Sequence, residues 1–431
     1  MNRTVSRRIL SIGKHRSTTA NIASLYPFAV QAPLPAVGPL LGWNLSAGGA
    51  AHCWDPFEAY AAGLVTNPNV FVLGEPGFAK SSLIKTYVYW THRLYGTRRW
   101  LSITDPKGEY TPLATAIGLP VVRLAPGGGV RVNPLDGLGP DADDQTVQAT
   151  MLYSITAVLL RRALAPLERK LLRSALAILG GRASVTLLDV IALLAAPTAE
   201  LCTSTDRTGG ELVRDGEQVR FALDELCTGP LRGMFDGPSS ATIDWDGPGV
   251  VIDLSGVVGN EQAMPIVMVA ANAWARQQRH RTTGGRLTVN VNDEAYYQYK
   301  RAETVEFAQE RRKLGRQHGE ANIDICHRPS DLVSQTDDGT ATAKMAEGLL
   351  ADSATKIIFR QAPSELDSAA RVLGLTHRER TVIATLGRGE AIWKLDNHSL
   401  RARHALVAPL ESIVGTDGAM TPATRVGADA G

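Results

Sequence analysis

The chain has 431 residues, 44% of them apolar, and a formal net charge of +2. That content fills a complete core and a subdomain, and the near-neutral balance neither requires nor excludes nucleic acid as a partner. Cys53, Cys202, Cys227 and Cys326 form no C-x-x-C pair, which argues against a zinc site and a disulfide framework.

No apolar run reaches the ~18 residues of a membrane span, and no signal-peptide core opens the chain. The expected location is the cytoplasm, with room for a peripheral place at the inner face of the cell membrane. Residues 1–50 read as a basic, Pro/Gly-rich arm. Residues 1–54 hold no Asp or Glu but carry Arg3, Arg7, Arg8, Lys14 and Arg16. That composition suits a solvated tail, or contact with anionic lipid or nucleic acid. Residues 25–50 read as an irregular lead-in.

From residue 51 short apolar runs alternate with helical spacing, the α/β signature. In Asn69–Ser82, NVFVLGEPGFAKSS, an apolar strand meets a glycine-rich turn and then a helix. That order is the context of a phosphate-binding P-loop, whose inward N–H groups and helix N-terminus receive a polyphosphate. The candidate nucleotide-binding residues are Gly74, Glu75, Pro76, Gly77, Phe78, Ala79, Lys80, Ser81 and Ser82. Lys80 would bridge the β- and γ-phosphates, and the Ser81 hydroxyl would ligate Mg²⁺. Ala79 stands where G-x-x-x-x-G-K-[ST] has its second glycine. Because that position adjoins the helix, its backbone is expected to suit alanine without strain.

Trp100–Thr104 predicts a strand ending in Asp105-Pro106-Lys107-Gly108-Glu109-Tyr110. Val121–Leu124 and Val130–Asn133 read as two short strands about a Pro-Gly-Gly-Gly turn. Residues 51–142 thus form the first part of a core. Residues 143–235 change to helical spacing (Met151, Ile155, Val158, Leu159, then Leu171, Leu172, Ala175, Ile178) and read as a helical insertion. The α/β pattern resumes over 236–414. Strands are expected at Gly249–Leu254, Leu287–Glu294, Asn322–Cys326, Lys356–Arg360 and Glu390–Leu395, with helices through Gln277 and over Arg301–Gln317. Residues 415–431 read as a disordered tail.

In an open parallel sheet the ligand sits beyond the carboxyl ends of the strands. That nominates the loop after Leu73, Asp105, Asp293-Glu294 and Cys326-His327. Asp293 would hold Mg²⁺, a hard cation that prefers oxygen. Glu294 would polarise the attacking water as general base, a role worth ~10²–10⁴ in rate. The strand before them, L-T-V-N-V-N, sets Thr288, Asn290 and Asn292 among apolar residues. A central strand is normally apolar throughout, so these need partners or a lightly covered face.

Together these residues resemble the motor domain of the FtsK/HerA superfamily, specifically the ATPases that power type IV secretion and conjugative transfer. NVFVLGEPGFAKS, ITDPKGEYTPLA, VVRLAPGGGVRVNPLD, VNDEAYY, ERRKLGRQHG, ICHRPSDL, LADSATKIIFRQ and GRGEAIWKL follow in the family's order. The resemblance spans roughly residues 50–415. It implies an α/β fold with a RecA-like P-loop NTPase core, a mostly parallel central sheet and an inserted all-α subdomain. It also implies ATP and Mg²⁺ as cofactors, with Lys80 and Ser81 at the nucleotide, Asp293 on the metal side and Glu294 catalytic. His327 falls where these ATPases commonly place a glutamine that senses the γ-phosphate. A ring, a hexamer in this family, would have an arginine reaching the neighbouring site; Arg316 is favoured, Arg312 second and Arg360 third. The implied partners are further copies of the chain, secretion-channel or inner-membrane proteins, and DNA. The leading reading is an ATP-hydrolysing ring motor that energises DNA or protein transfer across the envelope. A DNA-pumping coupling protein and a nucleotide-binding scaffold without turnover are the alternatives.

Overall fold

The computed structural model describes residues 31–136, 142–182, 184–241, 243–261, 263–282, 286–299, 302–328, 341–396 and 398–415. Arg3, Arg7, Arg8, Lys14, Arg16, the end of the ICHRPSDL motif and the tail beyond 415 lie outside them.

The described strands are β1 (Leu40–Asn44), β2 (Ala50–Cys53), β3 (Val70–Leu73), β4 (Arg99–Asp105), β5 (Val121–Arg123), β6 (Gly249–Asp253), β7 (Leu287–Asn292), β8 (Glu320–Cys326), β9 (Thr355–Ile358), β10 (Glu390–Leu395) and β11 (His398–His404). They form one 11-stranded sheet in the order β2-β1-β11-β10-β9-β3-β8-β7-β4-β6-β5. From β9 to β5 all neighbours run parallel, and from β2 to β10 they run antiparallel. β10 joins the halves by pairing antiparallel with β9.

The four residues of β3 are fully buried because helices cover both faces. Val70 and Val72 pack with Leu83, Ile84, Tyr87 and Val88 of α2, and with Leu113 and Ile117 beyond it. Phe71 and Leu73 face the other way, onto Tyr299, Val305 and Leu349. On the first side lie α1 (Pro56–Ala61), α2 (Lys80–Tyr95) and α3 (Thr111–Ile117). Asp55 caps α1 through the amides of Phe57 and Glu58 and accepts the Tyr87 hydroxyl at 2.9 Å.

Between β5 and β6 the described residues form helices only: α4 (Ala142–Leu160), α5 (Pro166–Leu179), α6 (Leu187–Ala195), α7 (Ala199–Thr205), α8 (Gly209–Asp215) and α9 (Glu217–Thr228). Leu152, Ile155, Leu171, Leu172 and Leu223 share one core with Val267 and Trp274 of α10 (Ala263–Thr282). The inserted helices are therefore welded to the sheet. The second face is closed by α11 (Ala302–Gly315), α12 (Ala341–Ala351), α13 (Leu366–Leu373) and α14 (His377–Ala384), and α15 (Ala408–Val414) returns to α2. Among the described residues no single helix is long and apolar enough to cross a membrane.

Two sequence expectations need correction. The lead-in is not irregular throughout, since β1 enters the main sheet beside β11. Val130–Asn133 forms no strand; Val132 N donates to Met234 O and Arg131 N to Ser240 Oγ instead.

The two asparagines of β7 find partners across the ladder in β8, whereas the buried Thr288 hydroxyl has none among the described residues. Asn292 Nδ2 donates to Asp324 Oδ1 at 2.6 Å, and Asn290 Nδ2 to Asn322 Oδ1 at 3.3 Å. Helical arginines complete this buried seam. Arg276 Nε donates to Glu320 Oε1 at 3.0 Å, Arg311 Nη2 to Asn322 Oδ1 at 2.9 Å, and Arg312 is ion-paired with Asp324. The seam replaces apolar cover with hydrogen bonds and ion pairs that satisfy most of its buried polar groups, though among the described residues Thr288 Oγ1, Asn292 Oδ1 and Arg311 Nε lack a partner.

Candidate active site

β3 ends at Leu73 beside Cys326 of β8 and Ile358 of β9. The loop that follows is fastened on both sides, with Gly74 N donating to His327 O at 3.0 Å and Glu75 N to Arg360 O at 2.9 Å. A Cβ on Gly74 would stand 2.5 Å from Phe359 Cβ, so this close approach admits only glycine. Gly77 has φ +81°, and Ala79, which caps α2, has φ +73°. Ala79 is therefore left-handed, contrary to the unstrained geometry expected from its position. That conformation costs an L-residue ~1–2 kcal/mol. Ala79→Gly should stabilise the protein by about 1 kcal/mol, part of the gain being offset by the freer unfolded chain. The midpoint of denaturant unfolding measures it, and an unchanged or lowered midpoint contradicts the strain.

The Lys80 ammonium folds back onto the loop, donating to Gly74 O at 2.6 Å and Glu75 O at 3.0 Å, with His327 Nδ1 at 3.3 Å. Burial pulls its pKa down to about 8, against the opposing pull of Glu294 and Asp293. Ser81 lies half-buried at the start of α2. The Ser82 hydroxyl does not join the cradle, as the sequence suggested. It donates to Val414 O at 3.3 Å on α15.

Asp293 and Glu294 follow β7, and Asp293 N donates to Thr104 O of β4 at 3.1 Å. Glu294 has φ +50°, a second strained non-glycine residue beside the loop. Its Oε2 lies 2.8 Å from His327 Nε2, and its Oε1 is ion-paired with Lys107 Nζ. Because Lys80 faces Nδ1 as a donor, Nδ1 is the acceptor and Nε2 carries the proton given to Glu294. Lys80, His327, Glu294 and Lys107 thus form one connected chain. Burial pushes the Glu294 carboxyl up, but His327 and Lys107 outweigh it and hold the group below its usual range. Asp293 is pushed up to about 7, first by burial and then by Glu294 and Asp105. Among the described residues it has no ion-pair partner; its Oδ1 accepts the Glu294 amide at 2.9 Å, and the buried Tyr110 hydroxyl faces the same carboxyl. A buried carboxylate so placed suits a cation bound with oxygen ligands.

Lys107 was not singled out by the sequence, although the Asp-Pro-Lys turn after the second strand was the available signal. The turn is rigid because Asp105 accepts the amides of Lys107 (3.2 Å), Gly108 (2.9 Å) and Tyr110 (2.8 Å). Lys85 of α2, fully buried, anchors the same turn from 3.6 Å off Glu109 and over the Tyr110 ring.

The three arginines separate clearly. Arg312 is 6% exposed and is held by Asp324, by Leu349 O at 2.8 Å and by Ser353 Oγ at 3.3 Å. It is a core residue, and the expectation that it reaches a neighbouring subunit is corrected. Arg316 is exposed in the turn after α11. Arg360 lies over the Phe78 ring, 3.7 Å from Glu75, at the rim of the loop.

No protein-family model and no curated protein match the chain by sequence. Solved structures do. VirB4 of Thermoanaerobacter pseudethanolicus superposes with a TM-score of 0.68 at 18% identity, covering 88% of this chain and 99% of that one. The bacterial conjugative coupling protein TrwB, in an unbound form, gives 0.55 at 15% identity, covering 79% of this chain and 85% of that one. TrwB in complex with ADP and Mg²⁺ gives 0.52 at 16% identity, covering 79% and 86%. The chain therefore has the fold of VirB4 and TrwB, a RecA-like P-loop core built on a mostly parallel sheet.

Proposed function

We propose that the chain is the ATP-hydrolysing motor of a type IV secretion or conjugation-like system, working as a ring, a hexamer, that energises DNA or protein transfer across the envelope. The observation that carries this reading is the convergence of Lys80, His327, Glu294 and Lys107 at the carboxyl ends of adjacent strands, β3, β8, β7 and β4. ATP is proposed as the nucleotide. Ser81 and Asp293 would hold Mg²⁺, which when bound neutralises charge on the phosphate oxygens.

In this mechanism Lys80 exchanges its loop carbonyls for phosphate oxygens. Glu294 orients the attacking water and takes its proton, and the His327 Nε2–H keeps that carboxylate aimed. Lys107 leaves Glu294 for the terminal phosphate, which frees the base only when nucleotide is present. Arg316 of one subunit is the candidate for reaching the next subunit's phosphate. The proposed place is the cytoplasmic face of the membrane, with channel or inner-membrane proteins as partners. The likeness to TrwB favours a second reading, a coupling protein that pumps DNA.

Purified protein given Mg-ATP should release phosphate; if no condition of assembly or added DNA yields turnover, the scaffold reading replaces this one. Lys107→Ala should lower kcat roughly 10²-fold, the usual loss of one preorganised charge-stabilising donor. Nucleotide affinity should change only a few-fold, because Lys80 and the loop amides remain. Steady-state phosphate release with a labelled-nucleotide titration separates the two, and normal kcat would remove Lys107 from the mechanism.

A further inference from the structure

Tyr110 ends the Asp-Pro-Lys turn and is fully buried. Its backbone is pinned, because its amide donates to Asp105 Oδ2 at 2.8 Å and its carbonyl accepts the Ala114 amide of α3 at 2.8 Å. Its ring is held as well. The Lys85 ammonium stands 4.9 Å from the ring centre, and the ring shares one core with Leu83, Leu113, Val251 and Val291. Little freedom is left to the phenol oxygen beyond the turning of its O–H. Yet that hydroxyl has no hydrogen bond of normal geometry among the described residues. Three carboxyls act on it, Asp293 first and then Asp105 and Glu109. Two of the three are taken. Asp105 accepts backbone amides on both oxygens, and Glu109 is drawn to Lys85 at 3.6 Å. Asp293 is the acceptor that remains. A buried hydroxyl with nothing to bond bears the loss of its water, a penalty that a phenylalanine filling the same space would not meet.

We infer that Tyr110 is the positioning residue of the metal-side carboxylate: its hydroxyl donates to Asp293 and fixes the plane of that carboxyl for a divalent cation. A phenol is a donor at neutral pH. A bond from it to one carboxylate oxygen stops the carboxyl's rotation and leaves lone pairs for a hard cation. The backbone of Asp293 is already tied to β4, its amide donating to Thr104 O at 3.1 Å. The strand and the turn that follows it therefore hold Asp293 by its backbone and by its side chain. The inference deepens the proposed site and rests on the reading of Asp293 as the metal-side carboxylate, but it requires no turnover.

The test uses Mn²⁺, which takes the same oxygen ligands as Mg²⁺ and whose free fraction is counted by electron paramagnetic resonance. With ADP present, Tyr110→Phe should weaken Mn²⁺ binding at least ~10-fold, the usual loss when the group that orients a metal ligand is removed. ADP affinity in EDTA should not change, and the Mg²⁺ concentration that half-saturates phosphate release should rise by a similar factor. Asp293→Asn should weaken Mn²⁺ binding by itself. Adding Tyr110→Phe to it should remove nothing more, because contacting residues that act together are not additive. The unfolding midpoint of Tyr110→Phe without metal should hold or rise. Unchanged Mn²⁺ affinity overturns the inference, as does an equal loss of ADP affinity in EDTA or an additive loss in the double variant. A lowered midpoint overturns it too, since the hydroxyl would then have a structural partner. A wild-type chain that binds no Mn²⁺ with ADP removes both the inference and the metal role of Asp293. Mn²⁺ binding that depends on Tyr110 in a chain without turnover keeps the inference and removes the motor. Turnover with Mn²⁺ affinity independent of Tyr110 does the reverse.

Discussion

Glu294→Gln should abolish phosphate release while leaving nucleotide bound. Glutamine keeps the size and one acceptor oxygen but cannot take a proton from water, so turnover should fall by ~10²–10⁴. Binding should persist because the loop amides and Lys80 are untouched, and Lys80 makes its shortest contact with Gly74 O rather than with Glu294. The fold should tolerate the change, since Lys107, the cation left without its partner, is 48% exposed and regains water. Phosphate release, equilibrium binding of labelled nucleotide and the unfolding midpoint separate the outcomes. Normal turnover would remove Glu294 from catalysis. Loss of binding together with stability would make the chain of Lys80, His327, Glu294 and Lys107 a structural feature instead.

Arg312→Ala should fail for a different reason. It leaves the Asp324 carboxylate in the core with only Tyr299, whose hydroxyl donates at 2.8 Å, and Asn292 at 2.6 Å. Removing one member of a buried ion pair costs about 3–5 kcal/mol, because the other charge stays in a medium that does not solvate it. Arg312→Lys should recover little, as one ammonium cannot serve Asp324, Leu349 O and Ser353 Oγ together. Pairing Arg312→Met with Asp324→Asn should return much of the loss, the coupling expected of contacting residues. Arg316→Ala, on an exposed turn, should leave the midpoint unchanged. A stable Arg312→Ala protein defective only when mixed into rings would restore the trans-acting role denied to it here.

The parts of the fold legible in the sequence are those with local signals. β3 and its loop could be read because four apolar residues run into glycines and then Lys80. β10 showed the same apolar density, and its bounds agree with the expectation at Glu390–Leu395. β1 and β11 could not be read so easily. Gly42 and the surrounding Pro/Gly-rich composition hide the first, and β11 alternates only Leu400 and Ala402 with charged or polar neighbours. At the site, residue types were legible but pairings were not. Arg312 and Arg316 belong to one basic stretch, and only Asp324 on a neighbouring strand separates a core cation from a surface one. Lys107 stayed silent because its partner, Glu294, is supplied by a strand far along the chain. The backbone of Ala79 depends on how Gly74 and Glu75 are tied to β8 and β9, which no local pattern encodes.

The sheet ends in two very short strands, β2 with four residues and β5 with three. Such stubs offer a neighbouring molecule almost no row of free amides and carbonyls to continue. In the proposed ring, copies of this chain would therefore meet through side chains, not by zippering their sheets into a shared one. Self-association of that kind can be dissolved by single surface substitutions, and the design withholds a template from the runaway stacking that long bare edges invite.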